Sequence, residues 1–247
     1  MNKDEKTLHY NKFFLAVLEA YVRDYIAKIA SKSQFDEKSL YVKAVYERLE
    51  NIKSSSERLN FSLFFLSDYT PKVSFKRNNL SRQKYYDYHL AIFYTIITSY
   101  SDQTILLVND VFNLGLNEHE ATRSTVIENK HCPKAIQQSF RELENVLTNE
   151  YKLKKIRNHF VHRGVISNKD FEEIASDIAF GETMKELKLI DKTPAIDALS
   201  MFFNKRGKES LKMKVSDLNS IKQKIELKVI DTHEHMTETF EAIRAKL

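Results

Sequence analysis

Three properties of this sequence predict an all-α fold. Gly and Pro are scarce, four and three in 247 residues, so the chain has little punctuation for the many turns of an all-β fold. Apolar residues recur at three- and four-residue steps through five long segments. Hydrophobic residues make up 42% of the chain, enough to give those segments a core.

The first segment repeats Tyr10, Phe14, Val17, Tyr21, Tyr25 and Ile29. In the second, Val42, Val45, Leu49, Ile52, Ser56, Leu59, Leu63 and Leu66 form a near-heptad seam, and the polar patch Ser54–Ser56 inside it is where that helix would weaken or kink. Pro71 ends the pattern, and Thr70–Ser81 reads as a basic connector. The third segment keeps its register from Tyr86 through Leu90, Phe93, Ile97, Tyr100, Thr104, Leu107 and Val111. At ~1.5 Å per residue it would be about 39 Å long, the spine of a domain. Asn113-Leu114-Gly115 is its stop signal.

The fourth segment starts after Pro133, at home in a helix's first turn, and is expected to run as one helix to Gly164, a natural C′ residue. Beyond it, Phe171–Phe180 and Pro194–Phe203 each read as a short helix. The last amphipathic segment carries Leu218, Ile221, Ile225, Val229, Met236, Phe240 and Ile243. With no internal repeat, low-complexity tract or long linker, the expectation is a single all-α domain over residues 1–247.

Charge and cysteine usage narrow the function. Thirty-nine Lys+Arg against 34 Asp+Glu leave a net charge of +5, which permits an acidic partner such as RNA without requiring one. Cys132 is the single cysteine, so no intramolecular disulfide forms and a cysteine-based zinc site is implausible. Residues Met1 to Lys6 lead into an amphipathic pattern rather than an apolar signal-peptide core, and the most apolar stretches, Phe61–Leu66 and Leu90–Ile97, fall short of a membrane span. A soluble cytoplasmic protein without a membrane partner is the expectation.

The chemistry concentrates in Lys154-Lys155-Ile156-Arg157-Asn158-His159-Phe160-Val161-His162-Arg163-Gly164. Arginine grips phosphate oxygens through a rigid fork of donors, and histidine moves protons near neutral pH. Lys152, Lys154, Lys155 and Arg163 crowd around them. Within the fourth segment the apolar stripe Ile136, Phe140, Leu143, Leu147, Tyr151 turns polar where the motif begins, while Leu153, Ile156 and Phe160 start a second stripe on roughly the opposite side. The expectation is that this second stripe packs on its own bundle and that Asn158 and His162 face a cleft. Asn158 and His162, four positions apart, share a helical face, where the amide can orient the imidazole. Arg157 and His162 stand about 140° apart on an ideal helix. A helix break near Gly164, a long reach by the arginine, or a second copy of the chain would each bring them together. Basic residues at a helix C-terminus are also favourable through the macrodipole alone.

Arg157-Asn158-His159-Phe160-Val161-His162 resembles the signature of the HEPN superfamily, an arginine and a histidine four to six residues apart with a polar residue, often Asn, after the arginine. The resemblance is carried by these residues and by the helical pattern over about residues 84–190, with extra helices at 8–68 and 215–246. It implies a helical bundle and, in many members, a metal-independent endoribonuclease, often a toxin or phage-defence effector acting as a dimer with facing motifs. Other members have lost catalysis and serve as binding modules. Carried over, Arg157 and His162 are the catalytic pair and Asn158 the orienting group; from the charge crowding the motif, Lys152, Lys154, Lys155 and Arg163, with His159, are the expected RNA contacts. The 2′-OH of RNA would attack the adjacent phosphorus and leave a 2′,3′-cyclic phosphate, with no metal or other cofactor. The implied partners are RNA, a second copy of the chain across a two-fold axis, and an antitoxin or other protein.

Other candidates are weaker. His233-Glu234-His235 has metal-like residues, but i and i+2 on a helix point to different faces, so a solvated pair is the better reading. His131-Cys132-Pro133 reads as the start of a helix. Ser99, Gln103 and Asp110 share a face beside the third segment's seam and fit structural hydrogen bonding better than a cleft lining. Tyr85, Tyr86 and Tyr88, near Arg82 and Lys84, fit core or rim better than a base-stacking platform.

Overall fold

The computed structural model describes residues 8, 11–68, 77–78, 80–163, 169–187 and 193–247, which are helical and contain no strand. In order they form α1 Lys12–Ala20, α2 Ala27–Ser31, α3 Glu37–Ser67, α4 Arg82–Val111, α5 Lys134–Asn145, α6 Leu153–Arg163, α7 Lys169–Leu187, α8 Pro194–Glu234 and α9 Thr237–Arg244. Wider π-helical turns lie at Tyr21–Ile26, Arg123–Ile127 and Val146–Glu150. The chain groups into two compact units: residues 1–58, 96–154 and 222–247, and residues 59–95 and 155–221. Pro71, most of the connector 70–81, the segment before Leu8, Tyr10 and Gly164 lie outside the described residues, as does the side chain of Arg163.

The seams read from the sequence are the buried faces. On α3, Val42, Val45, Leu49, Ile52, Leu59, Leu63 and Leu66 are buried, and on α4 so is every seam position from Tyr86 to Val111. The serine patch does not kink α3. Ser55 Oγ donates to the carbonyl of Asn51 (3.0 Å) and accepts from Gln103 Nε2 (3.0 Å), while Ser56 Oγ donates to Glu226 (2.5 Å). Interhelical hydrogen bonds thus use the hydroxyls that sequence alone marks as helix-weakening.

Helix ends follow local chemistry. Asn11 Oδ1 accepts from the amide of Phe14 (2.9 Å) and caps α1. Asp36 and Ser39 exchange reciprocal side-chain-to-backbone bonds (2.9 and 3.0 Å) ahead of α3, a capping box. After α4, Asn113 (φ 50°) and Gly115 (φ 69°) take left-handed conformations, as the stop signal requires.

In the first unit, Tyr41 Oη donates to the carbonyl of Val111 (2.8 Å), Arg48 Nε pairs with Asp110 (2.8 Å), and Arg244 Nε pairs with Asp24 (2.6 Å). In the second, α7 and α8 approach closely at glycine. A Cβ on Gly181 would come within 2.9 Å of the backbone nitrogen of Asn204, and one on Gly207 within 2.5 Å of Ile178 Cγ1. Buried Phe171, Ile174 and Ile178 line α7 beside that contact.

Three sequence expectations change. Pro194–Phe203 and the start of the last segment are one 41-residue helix, α8, because Leu211 and Leu218 carry its buried face through the mixed stretch between them. That last segment then breaks at His235–Met236 before α9. The fourth segment is not one helix, and this break bears directly on the motif.

Candidate functional site

After α5 the backbone widens into the turn Val146–Glu150, where the amide of Tyr151 donates to the carbonyl of Val146 (3.2 Å), and Lys152 then adopts φ 52°. A non-glycine residue in the left-handed region ends a helix, so α6 starts afresh at Leu153 with a new phase. Within the first unit Lys224 fixes this junction, its ammonium bonding Glu150 and lying 5.5 Å from the centre of the Tyr151 ring.

The break explains the exchange of apolar stripes. Ile136, Phe140, Leu143 and Leu147 are buried before it. After it Leu153 is buried, and Ile156 and Phe160 are half-buried.

Arg157, Asn158, His159 and His162 are all exposed, and Val161 between the two histidines is 55% exposed. Arg157 Nη1 donates to Asn158 Oδ1 at 3.2 Å, which gives the guanidinium a fixed neighbour and uses the amide oxygen. Among the described residues no hydrogen bond joins Asn158 to His162. Because α6 stays helical through Arg163, no break separates Arg157 from His162, and they keep the about 140° that an ideal helix sets.

The lysines differ from one another. Lys154 Nζ lies 2.9 Å from both carboxylate oxygens of Glu144, so its charge is already engaged within the first unit. Lys152 and Lys155 are exposed and have no ion pair among the described residues. Glu144 and Lys154 also edge a cleft of about 400 Å³ in the first unit, with Asp102, Glu118, Arg123 and Phe140 on its walls. Nothing in the helical period points to Glu144 as the partner of Lys154, since the nine intervening residues include the backbone break.

The remaining candidates resolve into structure. Gln103 Nε2 donates to Ser99 Oγ (2.7 Å), and Asp110 accepts from Arg48 and Asn109, so that face of α4 is hydrogen-bonded scaffold. Tyr86 is fully buried, while Tyr88 is 62% exposed. Burial pushes the Cys132 thiol up to about 11, which keeps it protonated, and His131 beside it donates its backbone amide to Asn129. His233 departs from the solvated pair expected of it. It is 1% exposed, 5.8 Å from the Phe13 ring, and burial holds its pKa down to about 3, whereas His235 is exposed. His233 lies in the last turn of α8 and faces the core, whereas His235 sits in the break after it and faces outward, so the two do not share a chelate.

Sequence reasoning passed over one cluster entirely. Glu226 accepts from Ser56 (2.5 Å), Tyr100 (3.0 Å) and Lys222 (2.7 Å), and the Lys222 side chain is 8% exposed. Burial, and then the Glu226 charge, raise the Tyr100 hydroxyl well above its ordinary range and keep it a donor. Lys222 and Glu226 at i,i+4 are the one signal in the sequence, and that spacing is commonplace on exposed helices.

The family model HEPN_Cthe2314-like HEPN matches residues 41–244, well beyond the 84–190 stretch that carries the helical resemblance. No curated protein and no solved structure matches the chain. No helix among the described residues is long and apolar enough to cross a membrane.

Proposed function

This chain belongs to the HEPN_Cthe2314-like HEPN family, and from that premise we propose that it is a metal-independent endoribonuclease acting through Arg157 and His162. One observation carries the reading. A guanidinium steadied by Asn158 at 3.2 Å and a solvent-facing imidazole stand on a single uninterrupted basic helix. Among the described residues none outside the motif hydrogen-bonds or pairs with these side chains, so they stay available to a phosphodiester.

The chemistry is that of an internal displacement. His162 takes the proton of the 2′-OH, whose oxygen attacks the adjacent phosphorus as the bond to the 5′-oxygen breaks. Arg157 holds the non-bridging oxygens and stabilises the added negative charge of the pentavalent state. The products are a 2′,3′-cyclic phosphate and a 5′-OH, the departing oxygen receiving a proton from a second acid. We assign that acid to His162 of a second copy, with the two motifs meeting near a two-fold axis. The 140° between Arg157 and His162 on one helix supports this, as does exposed Val161 between them.

Incubation of purified protein with single-stranded RNA in EDTA tests the reading, with cyclic phosphate ends as the expected product. Arg157→Ala and His162→Ala should each slow cleavage by about 10²-fold or more. Mixing these two inactive chains should restore a small part of the activity, because a mixed dimer keeps one Arg157 and one His162 as base but leaves water to protonate the departing oxygen. RNA binding without cleavage would make the protein a silent binding module. A growth arrest on expression that disappears in His162→Ala would assign it to the toxins or phage-defence effectors.

A further inference from the structure

Residues 12–31 precede the stretch matched by the family and carry an apolar face that none of the described residues covers. Leu15 is 47% exposed, Val22 53%, Ile26 38% and Ile29 52%, with exposed Ala27 and Ala30 beside them. The inward side is occupied separately. Phe13, Phe14, Val17 and Ala20 are buried, and Tyr21 stacks on Tyr46 with centroids 3.9 Å apart. The wide turn Tyr21–Ile26 takes in about one more residue than an α-helical turn, so Val22 and Ile26 fall nearly in line. A groove of about 450 Å³ adjoins this face, with Leu15 and Leu18 on its apolar wall and Glu50, Lys53 and Glu57 on its rim.

We propose that this face binds the same face of a second copy, the two helices running antiparallel. The charges select that occupant. Glu19 and Arg23 are 76% and 55% exposed and flank Val22; within the chain Arg23 is held loosely, 3.6 Å from Glu19 and 3.4 Å from Asp24, which Arg244 already engages. One acid and one base four residues apart are self-complementary about a two-fold axis passing near Tyr21. Glu19 then faces Arg23 of the second copy, and Arg23 faces its Glu19. The same axis brings the two Val22 side chains together and sets Ile26 beside Ala16 of the second copy, between the leucines that wall the groove. Alanines at 16, 27 and 30 let the backbones approach. An isologous contact of this kind closes on itself at two chains. It lies wholly in the first unit and does not depend on the nuclease reading.

Because the motif helix offers a separate contact, cross-linking at Val22 is the readout rather than mass alone. In a Cys132→Ser background, Val22→Cys should be joined into a covalent dimer by a short bismaleimide, and a Lys208→Cys control should not. Adding Glu19→Arg or Arg23→Glu should weaken dimerisation by roughly tenfold or more, since facing like charges oppose association. The double exchange Glu19→Arg with Arg23→Glu should restore it. All substituted positions except Cys132 are exposed, and circular dichroism checks that each variant folds. No Val22 cross-link above the control would assign the face to a different protein and overturn the proposal. A cross-link indifferent to the single reversals, or not recovered by the double exchange, would overturn the antiparallel register and the proposal with it.

Discussion

Glu226 in the first unit accepts hydrogen bonds from Ser56, Tyr100 and Lys222 and is shut away with them, whereas Arg157, Asn158 and His162 in the second unit lie exposed and share one bond. Both sets combine a cation, a hydrogen-bonding side chain and a titratable group. In the interior the desolvation cost forces each polar group to find a partner, and the partnership then fixes helices against one another. On the surface water meets that demand, so a side chain can stay unengaged until a ligand arrives. Burial and satisfaction, more than residue type, separate the polar groups of this protein that hold helices together from those left open to solvent.

That contrast is broken most sharply by exchanging effects between the two sites. Arg157→Ala or His162→Ala should abolish nearly all RNA cleavage while shifting unfolding by less than about 0.5 kcal/mol, as exposed substitutions do. A large loss of stability in either variant, measured by urea titration, would show the motif helix to be scaffold. Glu226→Ala should do the reverse. It strands the Lys222 ammonium at 8% exposure and should lower stability by about 3–5 kcal/mol. The folded fraction should cleave RNA at the parental rate.

His233 gives a smaller, pH-dependent effect. Its folded pKa of about 3 lies below the value near 6.5 expected of the unfolded chain, so acid protonates the unfolded state first. The stability is fully present above pH 6.5 and falls as pH drops toward 3, by roughly 1.4 kcal/mol per unit. His233→Leu should remove that slope between pH 6.5 and 5, because leucine suits a buried position where neither ring nitrogen finds a partner among the described residues. An unchanged pH–stability curve would mean that the imidazole reaches water.

The smallest effect separates two neighbouring lysines. Lys155→Glu should flatten the salt dependence of RNA binding by about 0.7 log unit per lost phosphate contact. Lys154→Glu should leave that slope nearly unchanged, since Glu144 already neutralises Lys154 at 2.9 Å. Equal slopes for the two variants would mean that RNA displaces Glu144.

The amino-acid pattern alone was enough to show that the chain is helical, which faces of α3 and α4 are buried, where α4 stops, and which six-residue stretch resembles the HEPN signature. These features rest on periodicity, turn chemistry and short-range spacing, all local properties. Tertiary structure decided the rest. Lys224 steadies the break at Tyr151–Lys152, so the exchange of apolar stripes marks the end of one helix and the start of another. Leu211 and Leu218 merge two apparent helices into α8. Lys154 is engaged through Glu144, His233 is dry beside Phe13, and Glu226 gathers partners from residues as distant as Ser56. Each of these depends on which residues the packed helices bring within a few ångströms, and a helical period tells which way a side chain points without telling what it meets.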